Sequence, residues 1–195
     1  VKLMVQNGSN NVFYAYHEGT GNNYTFLCRN DRASGSTQAT QIIFLGSGNT
    51  FVGDIRSTGS STSYNTSSDY RLKENVTTIS DGITRLKTLK PSRFNFKVDK
   101  DTTVDGFLAH EVTAVPEAIS GTKDEVVTQA MIDNGDAPSD SKLNDPIYQQ
   151  IDQAKLVPLL TAALQEAVAK IETLESKVAT LAVSYTHLRA HETLT

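Results

Sequence analysis

Residues 66–75 (TSSDYRLKEN) hold the side chains best suited to chemistry, because two serines precede a carboxylate, a guanidinium and an amine. A Ser hydroxyl is a poor nucleophile unless a base takes its proton, and no His lies nearby in the sequence. By spacing alone the stretch is typical of a helix start, with Ser68 or Asp69 as the N-cap and charged residues in the first turns. The residue types therefore leave a structural and a chemical interpretation open.

The same stretch resembles the start of the intramolecular chaperone auto-processing domain that ends phage endosialidases, tailspikes and long tail fibres. It carries the pattern Ser-Asp-x-Arg-x-Lys-Glu-Asn over residues 68–75. The resemblance continues in chain order through residues 94–96 (FNF), 106–111 (GFLAHE), 115–118 (VPEA) and 155–160 (KLVPLL). Together the motifs cover about residues 50–181.

The resemblance implies a self-cleaving serine peptidase that turns over once. In that family a Ser and a Lys five residues later form a catalytic dyad, and these positions fall on Ser68 and Lys73. Cleavage just before the Ser places the scissile bond between Ser67 and Ser68. Lys73 must then act as a neutral amine, which requires its pKa to fall from about 10.4 to about 7–8. Burial would lower it, and the positive charge of Arg71 would help.

The geometry of an α-helix limits where Ser68 and Lys73 can lie if their side chains are to meet. Five residues along one helix correspond to a rotation of roughly 140°. Ser68 is therefore expected on a turn before the helix that carries Lys73, unless the two side chains meet across subunits.

Other polar residues could support this chemistry. Backbone amides or the Asn75 side chain could hold the oxyanion, and Asp69 and Arg71 are candidate supporting residues. Glu74 either orients Lys73 or begins a solvated helix face, and His110 is a candidate neighbour of the active site. No cofactor is expected, because neither paired Cys/His spacing nor a Gly-rich loop before a helix supports a metal or phosphate site.

The predicted fold class is α+β and elongated, beginning with a β-rich segment at residues 1–67, interpreted as the end of a tail fibre or tailspike. Short β-type stretches alternate there with Gly, Ser, Thr and Asn turn signals. The predicted strands span residues 3–5, 12–16, 24–27 and 42–45. They are too few and too polar to close a sandwich, so we expect other copies of the chain to complete the β-structure.

Residues 68–120 predict a small α+β unit at the start of an auto-processing domain that extends to residue 181. Ser80 and Asp81 can cap a helix with Ile83, Leu86 and Leu89 on one face, which ends at Pro91. Residues 93–98 alternate like a half-buried strand, and residues 107–112 predict a second short strand or a helix. Residues 121–150 are interpreted as a long loop, anchored only at Val126 and Val127.

Residues 151–181 predict a coiled coil, with Pro158 in the first turn of the helix. Heptad positions a and d are occupied by Val157, Leu164, Ile171 and Val178, and by Leu160, Ala167, Leu174 and Leu181. The alternative is one amphipathic helix packed on its own domain. β-Branched residues at a with Leu at d favour a parallel dimer, whereas the resemblance implies a homotrimer. Residues 182–195 break the pattern and resemble translated adaptor sequence, so we set them aside as a tail that is not native.

Composition and charge limit the other classes of protein to which the chain could belong. The chain has 195 residues, 38% of them hydrophobic, and no Trp, which favours an oligomer over a single compact core. A net charge of −4 gives no electrostatic signature of nucleic-acid binding, and no apolar run reaches the length of a membrane span. Cys28 is the only cysteine, interpreted as a small buried hydrophobe rather than a nucleophile. The missing initial Met suggests a piece of a longer protein.

The resemblance implies a chaperone that brings three copies of the chain together and then cuts itself free of the fibre. The fibre part would belong to the virion tail, with a host surface receptor as a further partner. The chaperone part would be made in the host cytoplasm and released. Two alternatives stay open: a trimerisation cap that is never cleaved, and a receptor-binding fibre tip. A membrane-tethered transcription factor with this domain type is disfavoured by the Gly/Ser/Asn-rich segment and the missing span.

Overall fold

The computed structural model describes residues 39–138 and 140–192, which belong to two units that divide between Val76 and Thr77. The predicted strands at residues 3–5, 12–16 and 24–27, like Cys28, lie outside the described residues. The unit division falls downstream of the Ser67–Ser68 boundary. The boundary at Ser67–Ser68 was predicted from the expected cleavage site and does not coincide with the division between the two units. The cleavage site stays a prediction.

The first unit contains an antiparallel sheet with the strand order β1-β2-β3. Its strands are β1 (Ala39–Leu45), β2 (Phe51–Ser57) and β3 (Thr62–Thr66). The predicted strand at residues 42–45 is confirmed as the end of β1, and the turn that follows passes through Gly48 at φ 69°. Sequence analysis did not predict β2 and β3.

A buried carboxylate fixes β3 against β2. Asp54 is 2% exposed and accepts hydrogen bonds from Asn65 Nδ2 at 2.8 Å and from Arg56 Nε. Burial alone would raise the pKa of the Asp54 carboxyl, but the bonds from Asn65 and Arg56 outweigh it and hold the pKa below its usual value. The strands also approach closely at Gly53, where a Cβ atom would lie 2.3 Å from the Asn65 carbonyl oxygen. The register of β3, and so the position of the residues after it, is tightly specified.

Over its described residues, the second unit combines three α-helices with two two-stranded sheets. The helices are α1 (Gly82–Leu86), α2 (Gln129–Asn134) and α3 (Val157–Glu192). The strands are β4 (Ser92–Phe96) with β5 (Asp99–Gly106), and β6 (Ile119–Ser120) with β7 (Gln150–Ile151). Three 3₁₀ turns span Ala109–Glu111, Pro116–Ala118 and Gln153–Leu156. The α+β class is therefore confirmed, with small sheets and a long C-terminal helix.

Several local predictions are corrected. The helix predicted to end at Pro91 ends at Leu86, and Asp81 makes no side-chain cap bond to it. The strand predicted at residues 93–98 is β4, and residues 107–112 form the 3₁₀ turn rather than a strand. Strand β5 was missed because its polar side chains stay exposed and its order comes from pairing with β4.

The prediction of a loop over residues 121–150 is wrong where α2 forms. Thr128 Oγ1 accepts a bond from the Met131 N–H at the start of this helix, and Gly135 ends it at φ 74°. Both are common helix boundary residues that the sequence analysis did not use. The predicted β-like anchor is confirmed by the isolated bridge between Val126 and Pro146.

The core of the second unit lies where the turns after β5 meet the start of α3. Five side chains are almost fully buried there: Val112, Val115, Ala118, Leu156 and Leu159. Fully burying each of the larger ones contributes roughly 1.5–3 kcal/mol. The core therefore places the first turns of α3 firmly on the domain.

Helix α1 docks on α3 a little further along. A Cβ atom at Gly82 would lie 2.6 Å from the Ala163 nitrogen, so only glycine permits this approach. The Glu166 carboxylate accepts hydrogen bonds from the Ile83 N–H at 3.0 Å and from Lys170 Nζ at 2.7 Å. These bonds, first the one from Ile83, hold the pKa of Glu166 below its usual value.

Helix α3 presents two separate faces. Leu159 and Ala163 pack inward, as the single-helix alternative expected. Seven of the eight a and d side chains are nevertheless exposed, and Ala167 is half-buried. At 100° per residue the centre of the eight-residue a/d stripe lies about 80° from the direction of Leu159 and Ala163. The heptad stripe is therefore offset from the packed face, and the helix's own domain covers only Ala167 in part.

The helix has 36 residues and begins at Val157 with Pro158 in its first turn, as predicted. It continues through Glu192, beyond residue 181, where the heptad pattern ends. Every side chain described from residue 168 to 187 is exposed. Within the described ranges 39–138 and 140–192, no helix combines the length and apolarity that a membrane crossing needs.

Candidate active site

A 3₁₀ turn over Tyr70–Leu72 separates the two candidate dyad residues. Asp69 precedes it as the N-cap, and Lys73 follows in an extended conformation at φ −124° and ψ 139°. The expectation that a helix carries Lys73 is therefore wrong. The tighter 3₁₀ turn and the extended residues around it remove the 140° offset that a continuous α-helix would impose.

The turn brings the Lys73 side chain back to Ser68 within one chain. Lys73 Nζ donates a hydrogen bond to Ser68 Oγ at 2.7 Å. A nucleophile and its general base need this separation for proton transfer. Both side chains are exposed to solvent. The arrangement can therefore transfer a proton from the hydroxyl only when the amine is neutral.

Asp69 and Arg71 brace the turn between the dyad residues. Asp69 Oδ1 accepts from the Arg71 N–H and from Arg71 Nε, both at 2.9 Å, while Oδ2 accepts from Nη2 at 2.7 Å. The Arg71 side chain is the main reason that the pKa of Asp69 lies below its usual value, and Lys73 adds a smaller effect. Asp69 in turn raises the pKa of Arg71.

This pairing changes the role expected for Arg71. Its charge was expected to repel the Lys73 ammonium and lower the pKa of that amine. The guanidinium instead makes two bonds to Asp69, whose negative charge offsets it. Arg71 is better described as a brace for the backbone that positions Lys73.

Glu74 and Asn75 follow Lys73 directly. In the part of the chain that the structure describes, Glu74 is exposed and makes neither a hydrogen bond nor an ion pair with Lys73. This fits the solvated alternative. Asn75 adopts a left-handed conformation at φ 53°, which Asn tolerates better than most residues. Its conformation turns the chain immediately after the dyad, whereas its oxyanion role stays a prediction.

His110 belongs to the second unit, while Ser68 and Lys73 belong to the first. It is exposed on the 3₁₀ turn after β5 and lines an open groove of about 790 Å³. Phe96, Leu108 and Tyr148 also line this groove. The role of His110 beside the dyad stays a prediction.

The hairpin of β2 and β3, which ends one residue before Ser67, was missed by sequence reasoning. Alternation in residues 51–57 (FVGDIRS) and 62–66 (TSYNT), separated by the turn residues TGSS, is a recognisable hairpin pattern. Among the residues described, no group of three or more His, Cys, Asp or Glu side chains could hold a metal ion.

A comparison with known protein families gives a match that begins at Ser68. Residues 68–120 match a peptidase family described as the chaperone of endosialidase. Residues 68–120 are an intramolecular chaperone auto-processing domain. The matched segment of this chaperone domain begins at Ser68, the candidate nucleophile, and ends with β6. No curated protein matches the chain.

Replacing Arg71 by Met should raise the pKa of Asp69 towards its ordinary value of about 3.9. The depressed pKa means that the carboxylate stabilises the turn fully above about pH 4, and that this stabilisation is lost as pH falls through the depressed value. Carbon-13 NMR titration of Asp carboxyls measures the shift, in a Ser68→Ala background that keeps the chain whole.

The matched control is Arg93→Met. Arg93 makes the same type of two-bond contact with Asp105 on the β4–β5 hairpin. This variant should raise the pKa of Asp105 and leave that of Asp69 unchanged. An Asp69 titration that is insensitive to Arg71→Met would contradict the bracing contact.

Proposed function

We propose that the chain is the C-terminal end of a phage tail fibre or tailspike, whose chaperone domain promotes homotrimer assembly and then releases itself by cutting between Ser67 and Ser68. The observation that carries this proposal is the 2.7 Å contact between Lys73 Nζ and Ser68 Oγ, at the first residue of the family match. The fibre part would remain in the virion tail.

The cleavage needs only groups that the chain supplies, and water. Lys73, as a neutral amine, takes the proton from the Ser68 hydroxyl while Oγ attacks the carbonyl carbon of Ser67. The new C–O bond closes a five-membered ring. Its collapse breaks the C–N bond as the proton passes to the Ser68 nitrogen. The result is an ester between the Ser67 acyl group and Ser68 Oγ, with a free α-amine on Ser68.

Hydrolysis of this ester completes the reaction. Water adds to the ester carbonyl, Ser67 ends in a carboxylate, and the Ser68 hydroxyl is restored. A single turnover in about ten minutes needs an activation free energy of only about 21–22 kcal/mol. Because the substrate is already covalently in place, the site needs no binding pocket to reach that rate.

The exposure of the dyad links cleavage to assembly. Lys73 can act as a base only after it loses its proton, and burial away from water favours the neutral amine. In a single chain both dyad side chains are exposed. A surface contributed by other copies would bury them, so we expect cleavage to follow trimer formation.

The exposed a/d stripe of α3 supports the assembly role. Isolated helices are marginally stable in water, and their apolar faces normally need a partner. Leu164, Ile171, Leu174, Val178 and Leu181 are each more than half exposed. Packing three such helices together would bury this stripe and hold three chains side by side.

The first unit also presents apolar surface that other copies would cover. Ile43, Phe44 and Leu45 on β1 are each more than half exposed. Strand pairing between chains forms slowly and leaves edges open to aggregation, which is why a helper is useful. Once the fibre has formed, its slow unfolding preserves the trimer after the chaperone leaves.

A permanent trimerisation cap is the second candidate. Its support is the exposure of Ser68 and Lys73 to solvent, since cleavage would need a neutral amine, the form that burial favours. In that case Ser68 is a structural residue of the turn. The two candidates share the coiled coil and differ only in cleavage.

Intact mass measured on purified wild type, Ser68→Ala and Lys73→Ala separates these candidates. We expect wild type to give two fragments, one with its N-terminus at Ser68, and both variants to stay whole because each lacks one half of the dyad. A wild-type trimer that stays whole after prolonged incubation would instead identify a permanent cap.

Asn75 could turn the backbone through its left-handed conformation or hold the oxyanion with its side chain. Comparing Gly and Ala at this position separates these two roles. Glycine keeps the left-handed conformation without the side chain, whereas alanine loses the side chain and strains the backbone. We expect Asn75→Gly to cleave near the wild-type rate and Asn75→Ala to be slower, measured by mass spectrometry over time. A loss of about 10²–10³ in both variants would indicate that the side chain holds the oxyanion.

Association through the heptad stripe can be tested with two matched valines on α3. Val178, at position a, is 64% exposed, and Val183, at position f, is 57% exposed. In a Ser68→Ala background, Val178→Glu should weaken association by at least about tenfold, because a charge would be buried at the seam. Val183→Glu should leave it unchanged. Sedimentation velocity measures both, and equal effects would exclude the proposed seam.

A further inference from the structure

Ser67, the residue before the proposed scissile bond, is bound to β2 by two donors. Its backbone N–H donates to the Val52 carbonyl oxygen at 2.8 Å, and its hydroxyl donates to the same oxygen at 3.0 Å. The hydroxyl also lies 3.4 Å from the Phe51 carbonyl oxygen. Ser67 is half-buried between two exposed neighbours, Thr66 and Ser68. Its backbone N–H thus extends the β2–β3 ladder by one residue, and its hydroxyl adds a second bond to the same carbonyl.

The acceptor lies on a rigid part of the sheet. Val52 directly precedes Gly53, where β3 comes so close to β2 that a Cβ atom would meet the Asn65 carbonyl oxygen. Asn65 in turn binds the buried Asp54. Because the register around Val52 is fixed on both sides, the Ser67 hydroxyl is held against a carbonyl that has little freedom to move.

The chain is fixed again just after the bond. Asp69 and Arg71 hold the 3₁₀ turn through three hydrogen bonds, and Lys73 reaches back to Ser68. The Ser67–Ser68 peptide therefore spans the gap between two braced segments. Reaction rates at such sites depend steeply on how well the reacting atoms are placed.

We propose that Ser67 is a positioning residue for the cleavage, and that its hydroxyl makes the site specific for Ser or Thr before the scissile bond. This inference rests on the proposed function. The hydroxyl takes no part in proton transfer. It holds the Ser67 carbonyl carbon where Ser68 Oγ attacks, by fixing the residue to β2.

The test compares cleavage rates of wild type, Ser67→Ala, Ser67→Thr and Tyr64→Phe at one protein concentration, made by cell-free translation and followed by mass spectrometry. Tyr64→Phe is the control, since it removes an exposed hydroxyl from the same hairpin. The rates are measured across a range of pH, and amide hydrogen exchange in β2 and β3 checks that each variant keeps the sheet.

We expect Ser67→Ala to cleave about three- to tenfold more slowly, which corresponds to the loss of one hydrogen bond. The factor should be the same at every pH, because the titrating amine is untouched. Ser67→Thr should restore the wild-type rate, and Tyr64→Phe should retain it. A merely structural role would instead appear as faster exchange throughout the hairpin, with no rescue by Thr.

Two results overturn the inference while leaving the proposed function intact: Ser67→Ala cleaving as fast as wild type, or Ser67→Thr being as slow as Ser67→Ala. A change in the pH midpoint would also overturn it, since that would place the hydroxyl in the proton transfer. If wild type itself stays whole as a trimer, the proposed function fails, and this inference fails with it.

Discussion

The packing of the first turns of α3 against the turns after β5 is the interaction on which the second unit depends. Leu156 and Leu159 lie in one core with Val112, Val115 and Ala118. This core fixes the rotation of the helix about its axis, and the close approach at Gly82 fixes it again. Because the rotation is fixed, the heptad stripe lies to one side of the packed face and stays largely exposed. One helix can therefore stabilise its own fold and still offer a surface for association.

The candidate active site depends on a different constraint, which is the register of β3 on β2. The buried Asp54 and the side-chain-free position at Gly53 specify this register. The hairpin delivers Ser67 to a defined place, and the short turn braced by Asp69 and Arg71 returns Lys73 to Ser68. The sheet thus positions the candidate dyad at its end. Neither a deep pocket nor a metal is needed to explain how the reacting groups meet.

Solvent exposure is the remaining physical condition on that chemistry. A hydroxyl and an amine at hydrogen-bond distance make a competent pair only when the amine is neutral. Water stabilises the ammonium form, so an exposed pair is held back and a buried pair is activated. If assembly buries the dyad, premature cleavage is avoided without any additional regulatory element. The same contact can therefore be inert in one chain and reactive in a trimer.

Local sequence patterns predicted several features of the fold and the family of this protein. The motif from Ser68 to Asn75, with four further motifs in chain order, predicted the chaperone domain, and the family comparison confirms that prediction over residues 68–120. The α+β class, the strand at β4 and the place of Pro158 in the first turn of α3 were also predicted correctly, whereas residues 151–156, predicted as part of the coiled coil, form the end of β7 and a 3₁₀ turn. These features depend on residue types and periods within a few turns of chain, which remain the same in any tertiary context.

Other features depend on contacts between distant residues, which no local pattern contains. The inward face of α3 is set by partners such as Ile83 and Glu166, which lie 83 residues apart in the sequence. Strand β5 has polar side chains, and its partner β4 gives it order. The turn that replaced the expected helix before Lys73 ends in extended backbone that spacing could not foresee. Motif and period are local properties of the chain, whereas rotation, register and burial arise only when separate segments pack together.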